Sequence, residues 1–169
     1  MSVDWGQIYH DTHRELVRFL YRKVWDAERA EDLVQEAFAR ALGHAPDNPR
    51  AWLFHVAANL ARDEARMVIR RKKHLALLRT ETELQEKSIR GPSAEVEERE
   101  RIESLRQALE VLTERDREAL LLWDAGLSYT EIAAQTGLAP GAVGTTLSRA
   151  RQRLVDAHTA REGKHAARG

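Results

Sequence analysis

The sequence predicts an all-α protein made of two small helical domains joined by a flexible linker, with a helix-turn-helix in the second domain. Apolar residues recur three or four positions apart over most of the chain, which is the spacing of one face of a helix. A helix-breaking segment, Arg90-Gly-Pro-Ser, lies in a polar stretch near the middle. An ordered set of turn signals then runs from Ser128 to Arg151.

The composition is that of a chain that folds in water. Of its 169 residues, 43% are hydrophobic and 32% are charged, which suits one domain or two small ones. The absence of cysteine excludes disulfides and thiolate–metal sites. No apolar run approaches the ~20 residues that span a bilayer, and the N-terminus lacks the apolar segment of a signal peptide. We therefore expect a cytoplasmic protein without membrane insertion.

The net charge of zero conceals an uneven distribution of charge. Lys and Arg exceed Asp and Glu by three in residues 1–80 and by two in residues 119–169. Residues 81–118 instead carry an acidic excess of five. Two basic ends separated by an acidic middle indicate two possible anion-binding surfaces.

The first predicted helix runs from about Trp5 to Trp25, and the second from about Ala27 to Leu42. Apolar residues of the first helix have helical spacing: Ile8, Leu16, Phe19, Leu20 and Val24. The second helix has an apolar stripe that follows the three-or-four-residue repeat of a helix face almost without exception: Ala30, Leu33, Val34, Ala37, Phe38, Ala41 and Leu42. Its other face is charged, and from periodicity alone we expect that face to be solvated.

His10 and His13, on the first predicted helix, are three positions apart. They lack a third ligand in motif spacing, so we expect surface histidines rather than a metal site.

The third predicted helix follows a loop, Gly43–Pro49, in which Asn48 can cap the helix and Pro49 suits its first turn. Its early apolar residues are predicted to be buried: Trp52, Leu53, Val56, Ala57 and Leu60. Basic residues then recur: Arg62, Arg66, Arg70, Arg71, Lys72 and Lys73. Such a face is a plausible track for phosphates. The alternative is a solvated helix end, where the helix dipole favours cations.

Periodicity weakens after the third helix, and residues 75–94 predict a linker with a frayed helix from Ala76 to Lys87. The second domain begins near Ala94, and its first apolar residues are again at helical spacing: Val96, Ile102, Leu105, Leu109 and Leu112. Residues 113–116 predict the start of a further helix that ends at Gly126. Residues 159–169 have no apolar anchor and predict a disordered tail.

Residues 128–143 have the turn chemistry of a helix-turn-helix. Ser128 and Glu131 have the spacing of a capping box. Ala133, Gly137 and Val143 supply a small residue for a close crossing, a left-handed turn residue and a β-branched wedge. The helix that follows carries polar donors of the kind that contact phosphates and base edges: Thr145, Thr146, Ser148, Arg149, Arg151 and Arg153. The alternative is an ordinary helical hairpin with a solvated basic face.

Five motifs, in order over residues 6–158, together resemble a bacterial sigma factor of the sigma-70 family. The similarity is to its two-domain extracytoplasmic-function (ECF) group. The motifs are Asp32-Leu-Val-Gln-Glu-Ala-Phe, Trp52-Leu-Phe-His-Val-Ala-Ala-Asn-Leu-Ala-Arg-Asp, Leu112-Thr-Glu-Arg-Asp-Arg-Glu-Ala-Leu, Leu127-Ser-Tyr-Thr-Glu-Ile-Ala and Ser148-Arg-Ala-Arg. The resemblance implies a transcription initiation factor that binds core RNA polymerase and directs it to the minus-ten and minus-thirty-five elements of promoter DNA. An anti-sigma factor is a further partner that the family suggests.

The resemblance also implies roles for the domains and residues. A region 2-like domain spans 1–74 and a region 4-like domain spans 95–158. The matching polymerase-binding residues are Asp32, Gln35 and Glu36. The minus-ten residues are Asn59, Arg62, Arg66, Arg70 and Arg71. The minus-thirty-five residues are Thr130, Thr145, Thr146, Ser148, Arg149, Arg151 and Arg153.

Two departures from the family pattern alter these expectations. The stretch between Leu42 and Trp52 is shorter than usual, so we expect a different pocket for the unstacked minus-ten base. Gly144 stands where members often carry arginine. We therefore expect a weaker or altered minus-thirty-five contact, in which Arg149 is the chief remaining donor.

Three other classes of function are alternatives to a sigma factor. A purely structural interaction protein would not explain the turn chemistry at Gly137 or the basic helices. A helix-turn-helix regulator would bind duplex DNA without polymerase. An enzyme is disfavoured because the sequence holds no HExxH, P-loop, GxSxG or GxGxxG in its required context. We accordingly expect no cofactor, metal or small-molecule substrate.

Overall fold

The computed structural model describes residues 2–78 and 93–167, which fall into two compact units. One unit lies within Met1–Gln85 and the other within Glu86–Gly169. Every regular element of the described residues is helical, so the all-α prediction is confirmed.

The first unit consists of three mutually packed helices: α1 (Trp5–Val24), α2 (Ala27–Ala41) and α3 (Pro49–Leu78). Each begins at an Asp or Asn whose side chain accepts a backbone N–H of the first turn. The bonds join Asp4 to Gln7 at 3.0 Å, Asp26 to Arg29 at 3.0 Å and Asn48 to Ala51 at 3.1 Å. Such a cap contributes about 1 kcal/mol to helix stability, and the predicted helix starts are confirmed to within a residue.

Three faces of apolar side chains form the core of this unit. Leu16, Leu33 and Phe54 are fully buried, one from each helix. The rings of Phe19 and Phe54 meet edge to face, with centroids 5.3 Å apart. Phe54 was absent from the predicted core, whereas Trp52 and Val56 are only half-buried. The cause is that α3 carries apolar residues on more than one face, and spacing alone does not decide which face turns inward.

Helix α3 continues for four turns beyond Ala61, its last buried residue, and ends at Leu78. The predicted linker, residues 75–94, therefore begins within a helix. Residues 79–92 lie outside the described part of the chain. The same holds for most of the expected frayed helix, Ala76 to Lys87, and for nearly all of the predicted breaker.

The second unit contains α4 (Ser93–Glu110), α5 (Glu114–Asp124), α6 (Tyr129–Thr136) and α7 (Val143–Ala166). A single 3-10 turn, Pro140–Ala142, precedes α7. The core of the unit is formed by fully buried side chains of α5, α6 and α7: Ala119, Leu122, Ile132, Val143, Leu147 and Ala150.

Arg117, a residue of α5, caps the C-terminal end of α4. Its guanidinium donates to the carbonyl of Leu109 at 3.1 Å and to that of Leu112 at 3.3 Å. Carbonyls at a helix end have no partner within the helix, so this contact supplies one. The turn between α4 and α5 is thereby fixed by a side chain that does not belong to it.

The C-terminal segment differs from the prediction. Residues 159–169 were expected to be disordered, but α7 is helical to Ala166. Most of residues 159–166 are good helix formers (Ala160, Arg161, Glu162, Lys164 and Ala166), so the helix continues without an apolar stripe and despite Gly163. Arg161 also contacts α4, where its Nη1 donates to the carbonyl of Ser104 at 3.3 Å.

Candidate functional site

The outer face of α2 presents the three residues predicted to bind polymerase. Asp32 is 70% exposed and Glu36 is 43% exposed. Each of the three has a partner within the unit. Arg29 Nη1 lies 3.7 Å from Asp32 Oδ2, Gln35 Nε2 donates to the Tyr9 hydroxyl at 3.1 Å, and Arg40 Nη2 donates to Glu36 Oε1 at 2.6 Å. The face is therefore exposed to a partner while its side chains are held in place.

A bidentate ion pair joins this face to α3. Arg29 Nε donates to Glu64 Oε1 at 2.8 Å, and its Nη2 donates to Oε2 at 2.7 Å. Hydrogen bonding to Arg29 holds the pKa of Glu64 below its ordinary value, against the opposing effect of burial. The same bond raises the pKa of Arg29. The sequence does not indicate this pair, because no helical spacing rule relates residues that are 35 positions apart.

Asn59, predicted to recognise the minus-ten element, lies at a cavity of about 350 Å³. The cavity is lined by Arg40, His44, Trp52, Val56 and Asn59. The Oδ1 of Asn59 accepts from Arg62 Nη1 at 2.8 Å, so the amide is oriented by the first of the predicted basic residues. An amide that can both donate and accept, beside an aromatic wall, can bind a planar polar ring.

The short loop before α3 forms one wall of this cavity. The ring of His44 stacks at a tilt on Trp52, with centroids 5.0 Å apart and planes at 33°. The indole N–H of Trp5 donates to the carbonyl of His44 at 3.2 Å. Helix α1 thus holds the loop against α3. The sequence indicated that this loop is unusual but not that His44 and Trp52 enclose the space beside Asn59.

The predicted basic residues of α3 do not all lie on one line. Arg62, Arg66 and Arg70 are four residues apart and follow one side of the helix. Arg66 is 68% exposed and lies 3.7 Å from Asp63. Arg71 is turned toward the side of Glu64, on whose carboxylate its charge acts. Three arginines therefore form a track along one side of α3 from the Asn59 cavity: Arg62 is half-buried beside Asn59, and Arg66 and Arg70 are exposed.

The predicted helix-turn-helix is present in the second unit. The Ser128 hydroxyl accepts from the backbone N–H of Glu131 at 3.2 Å, and the Glu131 carboxylate accepts from that of Ser128 at 2.8 Å. Gly137 has a left-handed φ of 74°. Ala133 and Val143 are buried where α6 and α7 meet. Each turn signal has the structural role that its spacing predicted.

Most of the predicted minus-thirty-five residues are exposed: Thr130, Thr145, Ser148, Arg149, Arg151 and Arg153. Thr146 is the exception, since it is 4% exposed and cannot reach DNA. It lies three residues after Val143 and four before Ala150, which places it on the buried side of α7. The prediction for Thr146 is therefore wrong.

Two aromatic contacts change the interpretation of the basic face of α7. The guanidinium of Arg151 lies 4.1 Å from the ring centroid of Trp123, a cation–π contact that joins α7 to α5. The ring of Tyr129 covers Gly144: a Cβ there would lie 3.4 Å from Tyr129 Cε2. Of the three arginines predicted to contact the minus-thirty-five element, Arg149 and Arg153 have no cation–π contact within the described residues.

Neither a metal site nor a membrane span is found in residues 2–78 and 93–167. No group of three or more His, Cys, Asp or Glu side chains could hold a metal ion there. His13, considered as half of a histidine pair, contacts Glu31 instead, at 3.2 Å. None of the described helices is long and apolar enough to cross a membrane.

Comparison with known protein families finds two matches. Residues 8–71 match the family described as Sigma-70 region 2, and residues 102–154 match Sigma-70, region 4. These ranges lie in the first and second unit respectively. They cover α1 to α3 up to Arg71, and α4 to α7 from Ile102 to Leu154.

Comparison with characterised proteins finds similar sequences. The ECF RNA polymerase sigma factor EcfG of Rhodopseudomonas palustris (strain TIE-1) is 36% identical over 135 residues, which cover 76% of this chain and 71% of that protein. The ECF RNA polymerase sigma factor SigM of Bacillus subtilis (strain 168) is 31% identical over 160 residues, which cover 91% of this chain and 93% of that protein.

Two solved structures have a similar fold. The sigma factor RpoE of Bartonella quintana, solved in complex with the anti-sigma factor NepR, has a TM-score of 0.66 and 25% identity. The match covers 91% of this chain and 96% of that one. CnrH, solved in complex with the cytosolic domain of CnrY, has a TM-score of 0.65 and 26% identity. That match covers 92% of this chain and 88% of the other.

Proposed function

Because the chain belongs to the extracytoplasmic-function group of the sigma-70 family, and is therefore a promoter-specificity factor of RNA polymerase, we propose how its surfaces divide that work. The chain binds core RNA polymerase and directs it to promoter DNA. The observation that carries the proposal is that an ion pair connects the exposed acidic face of α2 to the basic helix α3. Arg29 contacts both Asp32 on the face and Glu64 on α3.

The outer face of α2 binds the polymerase. Asp32 and Glu36 supply negative charge to basic groups of the enzyme, and Gln35 supplies hydrogen bonds between them. Their exposure supports this role, since Asp32 and Gln35 are exposed and the Glu36 side chain is 43% exposed. Complementary charge also raises the rate of association and excludes wrong partners.

The cavity at Asn59 takes one unstacked base of the minus-ten element. Trp52 and His44 offer rings for stacking, and the amide of Asn59 offers a donor and an acceptor to a base edge. Unstacking a base costs a few kcal/mol, which such contacts can offset. Arg66 and Arg70 then follow the backbone of the opened strand. The cavity volume is at the low end for ligand sites, which suits a single base.

The helix-turn-helix binds the minus-thirty-five element as duplex DNA. Helix α7 enters the major groove, where Thr145, Ser148 and Arg149 reach base edges and phosphates. Arg153 lies one turn further along and contacts the backbone. Arg151 is held on Trp123, so it serves mainly to orient α7. The domain limits that go with this assignment are 1–74 and 95–158.

We assign no catalytic step to this chain, since the polymerase carries out the chemistry. It acts in the bacterial cytoplasm, where promoter DNA and polymerase are found. An anti-sigma factor is a fitting regulator, because the similar sigma factor RpoE was solved in complex with the anti-sigma factor NepR. The similar protein CnrH was also solved with a partner, the cytosolic domain of CnrY.

The proposal is tested by reversing charge on α2. Asp32→Arg and Glu36→Arg should each weaken binding to purified core RNA polymerase at least about tenfold, because truncating a buried charge pair at an interface costs 2 kcal/mol or more. Asp11→Arg is the matched control. Asp11 is also exposed, but it lies on α1, where its carboxylate accepts from Gln7 Nε2. Affinity is measured by biolayer interferometry with immobilised polymerase.

The alternative, a helix-turn-helix regulator that acts without polymerase, makes the opposite prediction. Neither charge reversal would then change a polymerase interaction, and DNA binding would need no polymerase. Retention of polymerase binding by Asp32→Arg and Glu36→Arg together would refute the proposed polymerase face.

A further inference from the structure

Two residues of α1 contact the side chains that border the polymerase-binding face. Tyr9 and His13 are one helical turn apart. The Tyr9 hydroxyl accepts from Gln35 Nε2 at 3.1 Å, and His13 Nε2 lies 3.2 Å from Glu31 Oε2. Glu31 directly precedes Asp32 in α2, so both α1 residues reach the same edge of the face.

Tyr9 is itself held between two rings. It meets Phe38 edge to face, with centroids 4.8 Å apart at 61°. On its other side it lies against His13, at 4.7 Å and 37°. Phe38 is only 8% exposed, so the position of the Tyr9 hydroxyl is set by a ring anchored in the core.

The contact fixes the orientation of the Gln35 amide. A surface glutamine samples several rotamers, and a partner must order it on binding. The bond to Tyr9 uses the amide N–H group, which leaves the amide oxygen oriented to accept from a partner's donor. Preorganisation of this kind strengthens binding because the amide loses less conformational freedom when the complex forms. His13 restrains the Glu31 carboxylate in the same way.

We propose that Tyr9 and His13 are positioning residues that make α1 part of the polymerase-binding face. The face then extends along α2 to Glu31, which is a further acceptor for basic groups of the polymerase. The inference rests on the proposed function of α2 and deepens it. It adds three residues to a face for which the sequence indicated only Asp32, Gln35 and Glu36.

Tyr9→Phe is the variant that tests the positioning role, because it removes one hydroxyl and keeps the ring contacts. Its Kd for core RNA polymerase should rise about threefold to tenfold, the effect of one net hydrogen bond. The thermal midpoint should stay unchanged, since Phe38 and His13 keep their partner. Tyr21→Phe is the matched control, a hydroxyl removed from the same helix. The ring of Tyr21 contacts Trp25, and the variant should bind as wild type does.

A double-mutant cycle separates positioning from general weakening. Gln35→Ala should raise the Kd by a similar factor. Tyr9→Phe combined with Gln35→Ala should bind no more weakly than the weaker single variant, because both remove the effect of one ordered amide. Glu31→Gln should also weaken binding, about threefold, since it removes charge from the face.

Wild-type affinity in Tyr9→Phe, together with weaker binding by Gln35→Ala, would overturn the inference while the proposed function stood. Fully additive losses in the cycle would overturn it too, since Tyr9 would then act separately from Gln35. If Asp32→Arg and Gln35→Ala both bound as wild type does, the proposed polymerase face itself would fail.

Discussion

At the scale of single residues, Arg29 has the most consequential position in the first unit. It lies between Asp32, on the exposed face of α2, and Glu64, on α3. The Glu64 side chain is only 13% exposed, and the guanidinium of Arg29, which is hydrogen-bonded to it, is the main charge that compensates its carboxylate. A single side chain therefore links the proposed polymerase-binding face of α2 to α3, the helix proposed to follow the opened strand.

Glu64→Gln should destabilise the protein by about 1–2 kcal/mol at pH 7. This loss of stability is smaller than the loss expected on breaking a fully buried ion pair, because Arg29 is 37% exposed and water screens the interaction. Urea unfolding at pH 7 measures the loss. Asp63→Asn is the control: the Asp63 side chain is 65% exposed at 3.7 Å from Arg66, and its removal should change stability by less than about 0.5 kcal/mol.

The stabilisation by Glu64 should depend on pH in one direction. Its pKa is lower in the folded protein than its ordinary value of 4.5, so its contribution is complete above pH 4.5 and is lost as the pH falls through the lower, folded-state pKa. The difference between wild type and Glu64→Gln should therefore shrink when unfolding is repeated below pH 4. A difference that stayed constant with pH would contradict the assignment.

At the scale of helices and turns, the second unit depends on local backbone geometry. The end of α6 needs a residue with φ of 74°, and Gly137 supplies it. An L-residue with a side chain pays a steric penalty in this conformation, although the space around position 137 is open. The angle between α6 and α7, and with it the presentation of Arg149, follows from this one turn.

Gly137→Ala should lower stability by about 1 kcal/mol, through backbone strain rather than a clash. Gly141→Ala is the matched control, because position 141 is equally open and its φ is not in the left-handed region. Differential scanning calorimetry should show a lower midpoint for Gly137→Ala only. Equal midpoints for the two variants would show that the turn relaxes without cost.

At the scale of the whole molecule, the surfaces proposed for binding are divided between the two units. The polymerase face, the Asn59 cavity and the α3 track belong to the first unit, and the helix-turn-helix belongs to the second. The net charge of zero reflects this division, since basic surfaces for DNA are offset by acidic residues elsewhere.

Substitutions in the two units should therefore act independently. Asp32→Arg should reduce polymerase binding, and Arg149→Ala should reduce minus-thirty-five recognition by about 1–3 kcal/mol. In the double variant the two losses should add within about 0.5 kcal/mol, measured as promoter binding by reconstituted polymerase. A coupling well above that value would show that the units communicate.

The amino-acid sequence by itself determined the features that depend on neighbours along the chain. Helix starts at Asp26, Asn48 and Ser128 follow from side chains that cap the first turn, and the turn at Gly137 follows from the conformational freedom of one residue. These interactions join residues at most four positions apart, so spacing reveals them. Each family motif is likewise a run of consecutive residues, so it can be recognised without the tertiary structure.

Only the tertiary structure decided which surfaces face inward and which distant residues meet. The rotation of each helix about its axis placed Phe54 rather than Trp52 in the core and buried Thr146 while leaving Thr145 exposed. Packing brought Arg29 to Glu64 and Tyr9 to Gln35. These outcomes depend on how several apolar faces fill one core at once, because close packing is a property of the assembled helices and not of any one segment.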